Sequence, residues 1–167
     1  MRTAYIGIDL LYPALPALEE AGCEIIKIFT CKTDGVTEFN HKVCAFADSR
    51  NIPVQTERIT ENDILELEQE GCELILCAVY YYKVPISKKI SMVNIHPALL
   101  PEGRGAWPMP VQLLQRHRYG GITFHKMTEQ FDDGDILLQK QVEILADDNL
   151  ETLTIRICEQ IPGMVKQ

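Results

Sequence analysis

Asn94 and His96 stand two residues apart at the end of an apolar run, followed at once by Pro97. Strand alternation sends both side chains to one side of the chain. An amide donor and an imidazole then project together where the chain turns. The amide can hold a developing oxyanion, and the imidazole can move a proton near neutral pH. A polar strand end beside a turn-forming proline is the structural alternative for the same residues.

A second group of chemical side chains is Phe131-Asp132-Asp133-Gly134-Asp135. Three carboxylates crowd around a glycine that permits a tight turn. Crowding is expected to raise the proton affinity of such carboxylates, which suits acid/base work or cation binding. The run lacks the spacing of a calcium loop. A third group lies in the loop of residues 97–108, where Arg104 could meet an anion and Trp107 could wall an aromatic ring. His125 sits in a strand-like run, either facing the site or at a core edge, and His117 reads as a helix-end residue.

The elements that must position these groups alternate along the chain. Strand-like runs cover residues 3–9, 23–30, 52–55, 73–79, 89–95, 119–127 and 136–144. Helical patterns fall near 13–21, 37–51, 59–71, 109–117 and 148–161, with Thr60 as a cap and Gly22 and Gly71 as stops. Alternation of this kind predicts an α/β fold, a mostly parallel sheet with helices on both faces. Ligands of such sheets bind beyond the carboxyl ends of the strands, where Asn94 and His96 lie.

Composition narrows the function further. The 167 residues carry a net charge of −8, and the basic residues form no patch, so no nucleic-acid partner is expected. Asp9, Pro13 and Pro16 interrupt the first segment, so neither a leader nor a membrane span is expected there. The six cysteines form no CxxC pair and no zinc-like cluster with histidine, so no metal is expected and a reduced, cytoplasmic setting follows. The glycine fingerprints of dinucleotide and phosphate loops are missing.

Three blocks in order carry a resemblance. Asn94-Ile95-His96-Pro97-Ala98-Leu99-Leu100-Pro101, Gly121-Ile122-Thr123-Phe124-His125-Lys126-Met127 and Asp132-Asp133-Gly134-Asp135-Ile136-Leu137 resemble the formyltransferase family, whose patterns are N-[IVL]-H-x-S-L-L-P, G-[VI]-T-x-H-x-[MV] and D-x-G-x-[IL]. The resemblance runs from about residue 3 to residue 160 and is sharpest over 75–144. It implies a Rossmann-like catalytic domain over residues 1–167 that takes 10-formyl-tetrahydrofolate as formyl donor. By the same resemblance Asn94, His96 and Asp132 match the catalytic positions, with Asp132 holding His96 or a water. Tyr82, Lys83, Val84, Pro85 and Ile86, with Gly134, match the donor-binding positions.

Departures from the family pattern sharpen the expectations. Ala98 replaces the usual serine, and the stretch from Pro85 to Asn94 is a few residues short. The Arg104-Gly105-x-x-Pro108 motif resembles the tRNA and sugar-nucleotide branches. Members of the tRNA branch carry a further C-terminal domain that is not seen here, which with the net charge of −8 argues against a tRNA acceptor, and truncation at the C-terminus stays open as the other reading. The expected function is formyl transfer to a primary amine of a small acceptor, such as an amino sugar on a nucleotide, with Arg104 and Trp107 as acceptor-binding residues. Two alternatives stay open: hydrolysis of the same donor to formate, and a non-catalytic folate-binding or partner-binding remnant.

Overall fold

The computed structural model describes residues 1–167. Seven strands form one sheet: β1 (Arg2–Gly7), β2 (Glu24–Phe29), β3 (Val54–Gln55), β4 (Leu74–Ala78), β5 (Ser91–His96), β6 (Tyr119–Lys126) and β7 (Ile136–Glu143). Their order across the sheet is β3-β2-β1-β4-β5-β6-β7. The first five strands pair parallel, and β6 and β7 add on antiparallel. Helices α1 (Ala14–Glu20), α2 (His41–Arg50), α3 (Glu61–Gln69), α4 (Pro108–Leu114), α5 (Leu150–Cys158) and α6 (Ile161–Val165) cover it.

Two apolar clusters pack the two faces. One joins Leu15 of α1, Phe46 of α2, Leu153 of α5 and Met164 of α6 to Tyr5, Ile28, Ile95 and Ile122. The other joins Ile64 and Leu67 of α3 to Ile6, Phe29, Ile75 and Met92. The continuous apolar runs of β1 and β4 are thus buried on both sides, as central parallel strands require.

Local chemistry sets most boundaries. Thr60 and Asp63 form a reciprocal capping box at α3, and Asn149 and Thr152 form another at α5. The helix expected over 37–51 begins only at His41, because the Phe39 carbonyl accepts from the Asp9 N–H. The helix expected over 148–161 ends at Cys158 and restarts at Ile161, where Pro162 opens a new turn that it could not have continued. No helix is long and apolar enough to cross a membrane.

The chain leaves β1 toward β2 and β3, then crosses back to β4 and β5 on the other side. This reversal puts the carboxyl ends of β1, β4 and β5 around one crevice.

Candidate active site

Antiparallel pairing of β5 with β6 sets Asn94 directly opposite His125. The Asn94 amide lies 3.0 Å from His125 Nε2. His125 Nδ1 lies 2.9 Å from the Lys126 carbonyl, which can only accept, so Nδ1 carries a proton. Nε2 faces both the Asn94 amide and the Asp132 carboxylate: a bare Nε2 accepts from the amide, and a protonated one donates to the carboxylate. The amide has no other side-chain partner, which leaves an N–H to meet an oxyanion. His125 orients Asn94, a role that only the strand pairing shows.

His96 is buried, 6% exposed. Its Nε2 donates to the Gly103 carbonyl at 2.7 Å, and its Nδ1 lies 3.4 Å from Asp132 Oδ1. A ring protonated on both nitrogens satisfies both partners; a neutral ring satisfies one. The same Asp132 oxygen lies 3.6 Å from His125 Nε2. Its other oxygen accepts from the Gly105 N–H at 2.9 Å. Asp132 adopts φ +53°, a left-handed conformation that Asp tolerates better than most residues, and this bend turns its carboxylate inward.

The three carboxylates of the acidic loop do not crowd one another, which corrects the expectation of raised proton affinity. Asp133 pairs with Arg104 at 2.8 Å and Asp135 with Lys126 at 3.1 Å, while Asp132 alone turns to the histidines. Burial pushes the Asp132 carboxyl up. The His125 ring, the Gly105 N–H and the His96 ring together outweigh it and hold Asp132 below the usual carboxylate range. Gly134 lies against the Lys126 carbonyl, and a Cβ there would overlap it. Its need is for close backbone approach, and it does not line the cavity.

The loop after His96 is pinned from below. The Thr123 hydroxyl donates to the Ala98 carbonyl at 2.6 Å and accepts from the Leu100 N–H at 3.2 Å. Gln139 Nε2 reaches both Thr123 Oγ1 and the Leu100 carbonyl at 2.9 Å. Thr123 is the threonine of the G-[VI]-T-x-H pattern, but its part as a support of this loop, with Gln139 opposite it, shows only in the register between β6 and β7.

Asn94, His96, His125 and Asp132 border a cavity of about 460 Å³. Tyr82, Lys83 and Val84 line it, whereas Pro85 and Ile86 line a neighbouring surface pocket. The backbone of residues 82–84 makes none of the chain's backbone–backbone hydrogen bonds, so its polar groups are free for a ligand. Trp107 also lines the cavity, 67% exposed. Arg104 does not; it lies outside against Asp133. His117 contacts Gln115 and does not line the cavity. No group of three or more His, Cys, Asp or Glu is placed to hold a metal.

Fold and site together define an α/β protein whose polar side chains converge at the carboxyl edge of its sheet. The chain belongs to the formyl transferase family, which it matches over residues 20–165. It is 32% identical over 173 residues to a methionyl-tRNA formyltransferase of Ehrlichia chaffeensis, with 94% of this chain and 56% of the relative covered. It is 33% identical over 170 residues to the methionyl-tRNA formyltransferase of Prochlorococcus marinus strain MIT 9215, covering 94% and 52%. The chain thus spans about half the length of these curated relatives. Among solved structures, a phosphoribosylglycinamide formyltransferase from Bacillus halodurans superposes with a TM-score of 0.80 at 24% identity, covering 99% of this chain and 94% of that one. That likeness establishes the shared fold.

Proposed function

We propose that this chain is a folate-dependent N-formyltransferase, which moves a formyl group from 10-formyl-tetrahydrofolate to a primary amine of a small acceptor. The observation that carries the reading is the convergence of Asn94, His96 and Asp132 on one cavity, opposite a segment with unspent backbone groups. Tyr82, Lys83 and Val84 would hold the flat polar ring of the donor through that backbone, with the buried Val84 side chain beneath.

The neutral amine nitrogen attacks the formyl carbon, and negative charge grows on the formyl oxygen. The free N–H of Asn94 and a proton of His96 receive that charge. Donors of this kind each lower a barrier by about 2.7–4 kcal/mol. His96 Nε2 must exchange the Gly103 carbonyl for the formyl oxygen, so the loop of residues 97–108 shifts as substrate enters. The bond from the formyl carbon to the folate nitrogen then breaks. The proton lost by the amine passes through the ionised Asp132, or a water it holds, to that nitrogen. The products are an N-formyl amine and tetrahydrofolate.

The acceptor amine admits two carriers. A sugar nucleotide is the small-molecule class that the Arg104-Gly105 motif suggests, with the Trp107 ring as a stacking surface. The names of the curated relatives suggest the methionyl group of a charged tRNA, which would make a nucleic acid the partner. To test the reading, the purified chain is incubated with 10-formyl-tetrahydrofolate and a panel of amines. The expected result is equal amounts of tetrahydrofolate and N-formyl amine. Formate in place of an N-formyl amine would select donor hydrolysis, and donor binding without turnover would select a non-catalytic remnant.

A further inference from the structure

A buried amide stands beside the loop that follows His96. Gln112 of α4 is 4% exposed, and its Oε1 meets no hydrogen-bond donor. A polar atom buried in this way is costly, and an apolar side chain of similar length would fill the same space without that cost. Two glycines make the room. A Cβ on Gly120 of β6 would stand 2.5 Å from Gln112 Oε1, and one on Gly103 would stand 3.4 Å from Gln112 Nε2. The amide is thus wedged between the sheet and the loop, with its donor nitrogen against Gly103. Gln112 does not line the cavity, so any part it plays in the chemistry runs through the loop.

Gly103 is the residue whose carbonyl lies 2.7 Å from His96 Nε2. His96 cannot give that one proton to the carbonyl and to a formyl oxygen together. When it turns to the formyl oxygen, the Gly103 carbonyl loses its donor. Gly103 has a φ of +70°, and a Cβ there would stand 2.8 Å from that of Ala98, so the position suits glycine. A residue without a side chain lets the following peptide rotate with little resistance. Rotation brings the carbonyl to the amide that already lies against it.

Resting on the formyl-transfer reading above, we propose that Gln112 is a positioning residue: its Nε2 takes over the Gly103 carbonyl as His96 Nε2 turns to the formyl oxygen. One hydrogen bond is exchanged for another, and the loop of residues 97–108 is held in its second position while the formyl group moves. Gly103 itself is exposed, which makes water the rival donor.

A double-mutant cycle of His96→Ala and Gln112→Met, read by denaturant unfolding, separates the amide from water. His96→Ala frees the carbonyl with no substrate present. With His96 in place, Gln112→Met removes an orphaned amide and is expected to raise the unfolding midpoint. In the His96→Ala chain the same substitution removes the carbonyl's new donor, and the midpoint is expected to rise less or to fall. Equal shifts in the two backgrounds overturn the proposal and give the carbonyl to water. Gln112→Leu repeats the cycle with a second apolar side chain. During transfer, Gln112→Met is expected to lower kcat about two- to tenfold and to leave KM for the donor unchanged, because the new bond forms only as charge develops. An unchanged kcat beside intact wild-type transfer overturns the proposal and leaves the transfer reading standing. A wild-type chain that transfers no formyl group defeats that reading instead, and the unfolding cycle then decides the exchange by itself.

Discussion

The two halves of the sheet are held by different forces. Strands β1 and β4 are buried on both faces, with β2 and β3 partly buried beside them, and their neighbours include the apolar faces of α1, α2 and α3. Strand β7 is largely exposed, and the loops around β5 and β6 are fixed by polar links: Thr123 and Gln139 to Ala98 and Leu100, Asp132 to Gly105, His96 to Gly103. Burial is tolerant of small shifts in position, whereas hydrogen bonds demand distance and angle. The chemistry sits on the half held by hydrogen bonds. The burial-held half provides the rigid edge from which it projects.

The comparison breaks most visibly at a core residue of the first half. Phe29 is fully buried in β2. Phe29→Ala is expected to lower stability by about 3–5 kcal/mol, read by denaturant unfolding, while the fraction that stays folded keeps its kcat. A parallel fall in kcat would show that the two halves are coupled more tightly than this division allows.

In the second half, Thr123→Val keeps the shape and removes the hydroxyl. The Leu100 N–H is then left without its acceptor in a buried place, at a cost of about 1–3 kcal/mol. Here kcat should fall more than KM rises, because the loop that follows His96 loses its anchor. An unchanged kcat would mean that the loop is placed by packing.

Acid sharpens the same contrast. The Asp132 pKa is depressed in the folded chain. Its contribution to stability is therefore present above the unfolded value of about 3.9 and is lost as pH falls through the lower folded value. Asp132→Asn is expected to be less stable than wild type at neutral pH, with the two converging at low pH. Curves that stay parallel from pH 7 to pH 3 would contradict the depressed value. The smallest effect belongs to the rim. Arg104 and Asp133 are each nearly half exposed, and Arg104→Ala should cost about 0.2–1 kcal/mol by the same unfolding measurement.

The same division governs what could be read from the sequence. Strands such as Leu74–Ala78 and the helix opened by Thr60 announce themselves through apolar runs and capping residues, because burial and end-capping are local in sequence. Asn94 and His96 were legible as types and spacing, and Asp132 was singled out from its two neighbours only by the family resemblance. Their partners were not. That His125 faces Asn94 depends on strand pairing, and that Gly103 meets His96 depends on a loop conformation. The sequence suggested three crowded carboxylates at 132–135, yet each meets a different cation or histidine, since partners arrive from Arg104, Lys126 and His96. Leu10, about 85 residues before the Asn–His pair, gave no sign that it lines the same cavity.

The most direct test measures single-turnover formyl transfer from 10-formyl-tetrahydrofolate in wild type, Asn94→Ala and His96→Ala, with unfolding curves run in parallel. The account predicts rates lowered about 10²–10³-fold in each variant, with both chains folded. Folded variants that transfer formyl at the wild-type rate would contradict it, and the chemistry would have to be sought elsewhere on the molecule.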